Sequence, residues 1–204
     1  MFIPIAEGSD QIIRLGLYVL IESCRQLNEW IDSGMVNNEF TMSVNISAKH
    51  LNDADCITDI LSIIKETGVP PNQLCLEITE SIFLEDVNIA VLDRLAHEKI
   101  KISIDDFGTG YSSLARLKFL PIDEVKIDKL FINDINKSSA DIAMMTALNQ
   151  LTNALNLYCI VEGVESNEQL FILIGIGFTH FQGHFFSEAV PGNQLTEIIK
   201  LANF

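Results

Sequence analysis

Asp105 and Asp106 are the residues of this sequence whose types point most directly to chemistry. They follow a short β-branched run, Ile102 to Ile104, that reads as a strand buried on both faces and ends abruptly at the two carboxylates. Folding has no use for such a pair. Like charges side by side repel and are costly to strip of water, so two of them at the mouth of a buried strand point to a divalent cation between them. Gly108 and Gly110 then supply a backbone that turns tightly and comes close to a ligand. The stretch Lys101 to Ser113 reads as a metal site with a mobile loop beside it.

The elements that must position this pair follow from the punctuation of the chain. Ser9 is the expected N-cap of a helix from about Asp10 to Asp32, stopped by Gly34. Phe40 to Ile46 reads as a strand and Asp55 to Thr67 as a helix ended by Gly68 and the pair Pro70-Pro71. The alternation continues with a strand at Leu74 to Ile78, a helix at Val87 to His97, the strand Ile102 to Ile104 and another at Glu124 to Ile127. A helix at Ala140 to Leu155, a strand at Tyr158 to Val161 and a Ser166-capped helix to Ile174 come next. A strand at Phe178 to Phe181 and a helix at Gln194 to Ala202 complete the series. Strand alternating with helix implies a parallel sheet and the α/β class.

Asn45, Glu77, Asp105, Lys126, Glu162 and Gln182 each fall at or just past the C-terminal end of a successive strand, at separations of 32, 28, 21, 36 and 20 residues. One polar residue per strand end has no packing rationale in an open sheet, whereas in a barrel those ends converge on one face. The expected architecture is therefore a TIM-like (β/α) barrel forming a single domain over residues 1–204. Six strands fall short of eight, so the first strand or strands are expected before Phe2. A barrel short of staves exposes unpaired edges, which favours dimerisation.

Composition narrows the partners. With 48% apolar residues the chain has ample material for a core, and its 13 basic against 28 acidic side chains leave a formal charge of −15. That excess disfavours a nucleic-acid polymer, because such proteins present a basic face. Cys24, Cys56, Cys75 and Cys159 form no CxxC pair and read as buried thiols in a reducing cytoplasm. No apolar run approaches membrane-span length, so the expectation is a cytoplasmic chain without membrane contact, though a parent protein could be membrane-anchored. His50, His97, His180 and His184 show no metal-ligand spacing and read as structural or surface residues.

The motifs Ser43-Val-Asn45-Ile-Ser-Ala48, Leu76-Glu77-Ile-Thr-Glu80-Ser81, Asp105-Asp106-Phe-Gly-Thr-Gly-Tyr-Ser-Ser113, Val125-Lys126-Ile-Asp128, Val161-Glu162-Gly-Val-Glu165 and Phe181-Gln182-Gly183 resemble, in order and spacing, the motif series of the EAL domain. The resemblance runs from Phe2 to about Pro191. It implies a TIM-like barrel with one irregular strand, a divalent cation requirement and hydrolysis of cyclic di-GMP to linear pGpG. The Glu-Ala-Leu motif that names the family, whose Glu is a metal ligand, is absent here, as is the Arg downstream of it. The chain thus resembles an EAL domain lacking its first strands. It also lacks the Pro that often follows Ser187 closely.

Residue roles follow from the same resemblance. Asn45, Glu77 and Asp105 match ligands of a first metal, and oxygen donors of this kind suit Mg²⁺ or Mn²⁺. Asp106 and Glu162 match ligands of a second, completing a two-metal clamp on the attacking and leaving oxygens. Lys126 alternates with Val125 and Ile127, which aims it into the barrel mouth if they pack outward, and it matches a residue that orients the nucleophilic water. Gln182 matches a hydrogen-bonding partner around that water, and Glu165 a supporting residue. Glu80 matches a loop-control residue that holds the segment Phe107 to Ser113 and so positions both aspartates. The expected function is a cyclic di-GMP phosphodiesterase with two ions, working as a homodimer under an upstream sensory or GGDEF domain. The alternative is a catalytically silent domain that senses cyclic di-GMP or binds a protein partner.

Overall fold

Strands form where β-branched and apolar residues run together between turn signals, and helices fill the intervals. The structure, a computed structural model, describes residues 6, 8, 11–80, 89–109 and 117–202. Helix α1 (Gln11–Asp32) precedes β1 (Met42–Asn45), and the short α2 (Ala48–Leu51) and α3 (Cys56–Thr67) lead to β2 (Leu74–Thr79). Helix α4 (Ile89–His97) leads to β3 (Lys101–Phe107), and β4 (Glu124–Ile127) runs into a 3-10 turn (Lys129–Phe131). Helix α5 (Ser139–Ala154), β5 (Tyr158–Val161), α6 (Asn167–Ile176), β6 (His180–Phe181) and α7 (Gly192–Ala202) follow. β1 pairs with β2, and β3 pairs with β4, β4 with β5 and β5 with β6. The fold is α/β with parallel pairing, as the alternation predicts.

The chain divides into two compact units. The first comprises Met1–Ile78, Leu84–Ile102 and Val190–Phe204. Its long helix α1 buries Leu20, Cys24, Leu27 and Trp30, a stripe spaced for one helix face. The Trp30 indole donates to Thr196 Oγ1 at 3.0 Å, which ties α1 to α7 across 166 residues. Gln73, 2% exposed, donates from one amide nitrogen to the Asn37 and Phe40 carbonyls at 2.9 and 3.0 Å, so the entry to β1 is fixed to the entry of β2. Helix α3 stops at Gly68, whose φ of +78° and N–H to the Ile64 carbonyl make a left-handed cap. His50 is buried at 2% exposure against α1 with its Nε2 unpartnered, a structural histidine.

The second unit comprises Thr79–Phe83 and Ser103–Ala189. Its core packs Ile127, Ile132, Ile135, Met145, Val161, Val164, Leu173 and Phe178. Ser138 caps α5 through Asp141 N, and Ser166 with Gln169 forms a reciprocal capping box at the start of α6.

The largest departure from the sequence reading lies in β3. The strand does not stop at the aspartates but runs through them to Phe107, with a register irregularity between Ile104 and Phe107 opposite β4. Asp106 adopts φ +55°, a left-handed conformation that absorbs the extra residue and lets pairing resume at Phe107 opposite Ile127. Shifts elsewhere are of a few residues, as at Phe178, which is core while the strand itself is His180–Phe181. The expected N-cap Ser9, the helix start at Val87 and the loop residues from Gly110 to Ser113 lie outside the described residues.

Candidate functional site

The site in the second unit is assembled from three strand ends. Adjacent residues of a regular strand face opposite ways. The left-handed turn at Asp106 breaks that alternation, and Asp106 N–H closes onto Asp105 Oδ1 at 3.0 Å. Glu162 comes one residue beyond β5 with its N–H on the Ile127 carbonyl at 2.9 Å, so its backbone simply continues the ladder. These routes bring one ligand oxygen each from Asp105, Asp106 and Glu162 to within 4.8 Å of one another. From β4, Lys126 enters the cluster: it is 4% exposed, and its Nζ lies 2.7 Å from Glu162 Oε1 and 4.0 Å from Asp105 Oδ1.

One ammonium against three carboxylates leaves the cluster short of positive charge. Burial first, then the charges of Asp105 and Asp128, push the Asp106 carboxyl above the usual range, with Lys126 opposing. By surface area Asp106 itself is exposed. The donors are all oxygen, which fits a hard divalent cation such as Mg²⁺ or Mn²⁺.

Asp128 is a further carboxylate beside the cluster, outside its three oxygens, whose charge acts on Asp106. It caps the turn after β4, accepting from Leu130 N at 2.8 Å. The signal that marks it is its spacing of two from Lys126, the same parity, just past the same strand.

Glu80 is 6% exposed and accepts from Gly108 N–H through Oε2 at 2.9 Å, so it holds the backbone two residues after Asp106. Glu165 and Gln182 line, with Glu162 and His184, a cavity of about 290 Å³. Glu165 presents its exposed side chain there while its N–H bonds Gln169 Oε1 at 2.8 Å. In the first unit Asn45 and Glu77 stand opposite each other in the β1–β2 register, and the Glu77 carbonyl accepts from Ile46 N–H at 2.9 Å. Asn45 is exposed and Glu77 is 5% exposed. Among the described residues no helix is long and apolar enough to cross a membrane.

MucR of Pseudomonas aeruginosa, a bifunctional diguanylate cyclase/cyclic di-GMP phosphodiesterase, is 38% identical over 95% of this chain and 28% of its own length. The chain spans about a quarter of the length of the curated relatives it matches. The PaMucR phosphodiesterase solved with c-di-GMP superposes with a TM-score of 0.89 at 38% identity, covering 95% of this chain and 78% of that one. BlrP1 of Klebsiella pneumoniae, solved with manganese and cyclic di-GMP, superposes with a TM-score of 0.78 at 25% identity over 86% of this chain and 44% of its own. The EAL domain family model matches residues 1–189. The chain belongs to the EAL domain family, and its parallel α/β architecture is that family's TIM-like barrel type.

Proposed function

We propose that this protein hydrolyses one phosphodiester bond of cyclic di-GMP to linear pGpG, with residues 1–204 acting as one EAL-type domain. The observation that carries the reading is the cluster of Asp105, Asp106 and Glu162 oxygens within 4.8 Å, neutralised only in part by the buried Lys126. A divalent cation bound there would supply the Lewis acidity that polarises a phosphoryl oxygen and lowers the pKa of a water. MucR and BlrP1 support the substrate and the ion by the complexes in which they were solved, BlrP1 with calcium as well as manganese.

The chain's own residues do the remaining work. Asp105, Asp106 and Glu162 hold the cation, with Asn45 and Glu77 as ligands of a first ion. Lys126 orients the attacking water while its ammonium holds Glu162 in place, and Gln182 hydrogen-bonds around that water. Glu165 supports the Glu162 segment. Glu80 keeps the aspartate turn closed through Gly108. The working unit is a cytoplasmic homodimer, controlled by a sensory or GGDEF domain in the parent protein.

The test is chromatographic detection of pGpG from cyclic di-GMP with Mg²⁺, with Mn²⁺ and with EDTA. Metal-dependent turnover is expected. Binding of cyclic di-GMP with no turnover under either ion would overturn the enzymatic reading in favour of a sensor.

A further inference from the structure

We infer that the 3-10 turn Lys129–Phe131 is a steric wedge that sets the spacing of the carboxylate cluster, with Phe131 and Lys129 as positioning residues acting through Gly108 and Gly163. The inference rests on the metal-centre reading of that cluster.

The wedge touches both carboxylate-bearing segments at glycines. Gly108, two residues past Asp106, has φ +94°, and a Cβ built on it would lie 2.6 Å from Phe131 Cζ and 2.8 Å from Cε2. Gly163, next to Glu162, has φ +70°, and a Cβ there would overlap Lys129 Cβ and come within 3.4 Å of Lys129 Cα. Both conformations disfavour any other residue, and both contacts leave no room for one. The backbone beside the aspartates and the backbone beside Glu162 are therefore seated on opposite ends of one three-residue turn.

That turn is itself anchored. Asp128 caps it through Leu130 N, and Ile132 directly behind it is fully buried, its carbonyl taking a hydrogen bond from Gln169 Nε2 at 3.1 Å. Phe131 packs partly buried against the same core. Lys126 draws Glu162 and Asp105 inward electrostatically, while the turn behind it stops their backbones sterically. An attraction and a stop together define a distance, whereas an ammonium alone would let the cluster follow whatever charge it held.

The test uses the full chain, Mn²⁺ titrated without substrate and followed by electron paramagnetic resonance, with circular dichroism to confirm folding. Gly163→Ala and Gly108→Ala are each expected to weaken Mn²⁺ binding by about tenfold or more, the range typical for residues that orient metal ligands. Combining Gly108→Ala with Phe131→Ala should recover part of that loss, because the added methyl gains room although the φ strain remains. Phe131→Leu, which keeps apolar volume, should fold normally and bind Mn²⁺ with an intermediate loss. Wild-type affinity in both glycine variants, or a double variant no better than Gly108→Ala alone, would overturn the wedge while leaving the metal centre standing. A wild-type protein that binds no Mn²⁺ would overturn both.

Discussion

The ends of β3 and β5 deliver carboxylates to one cluster by opposite means. β5 is regular: its register with β4 runs unbroken from Glu124 opposite Tyr158 to Ile127 opposite Val161, and Glu162 is simply the next residue. β3 is distorted: it supplies two adjacent acids, which a pleated strand would send to opposite faces, and a left-handed Asp106 reconciles them. A single carboxylate needs only a strand that stops at the right place. Two consecutive carboxylates brought to one side need a deformed backbone, and Glu80 and Phe131 both contact the deformed segment at Gly108.

The strongest way to break the comparison is to remove the residue that serves both ends. Lys126→Met would leave Asp105 and Glu162 without their buried cation, and we expect kcat to fall by at least about 10²-fold. Stability should fall by about 3 kcal/mol, measured by urea denaturation. Next, Glu80→Ala should affect β3 alone. It removes the acceptor of the exposed Gly108 N–H, at a cost of about 0.5–1.5 kcal/mol. Amide exchange should rise across 105–109 and remain unchanged across 160–163, while Glu80→Gln, which keeps an acceptor, stays near wild type.

A finer separation comes from Asp106 itself. Asp106→Val should cost about 1–2 kcal/mol in metal-free denaturation, because a β-branched residue resists the left-handed region, and Asp106→Asn should not. Both should lose Mn²⁺ affinity in the same titration, which separates the backbone contribution from that of the carboxylate. Equal stabilities for the two would show that the turn is not strained.

The smallest effect lies away from both strand ends. Burial lowers the pKa of His50, against the pull of Asp59 and Asp53. A histidine whose folded pKa is depressed is neutral in the native state and takes up its proton on unfolding. Its stabilising contribution is therefore present above the unfolded value of about 6.5 and is lost as pH falls below it. Thermal unfolding between pH 7.5 and 5.5 should show the decline, and His50→Leu should flatten it.

Much of this was legible in the sequence because burial and alternation are local signals. The runs at Leu74, Val125 and Tyr158 marked strands, and Ser166 marked a helix start. The β3 boundary was not legible, since two acids in a row look like an ending and nothing in their identity announces a left-handed residue that lets pairing resume. The role of the turn after β4 was hidden for a different reason. Phe131 and Gly108 lie 23 residues apart, and only folding reveals that one fills the space the other leaves.

The hydrogen bond from Trp30 to Thr196 has a consequence for the order of events during synthesis. The first unit cannot close until its last segment emerges, and 166 residues separate the two partners. At about 5–20 residues per second that is roughly ten to thirty seconds in which α1 has been made and its indole has no hydroxyl to bind. Ser103–Ala189, which contributes nearly all of the second unit, leaves the ribosome within that interval. The part of the protein that carries the carboxylate cluster can therefore be assembled before the part that was begun first.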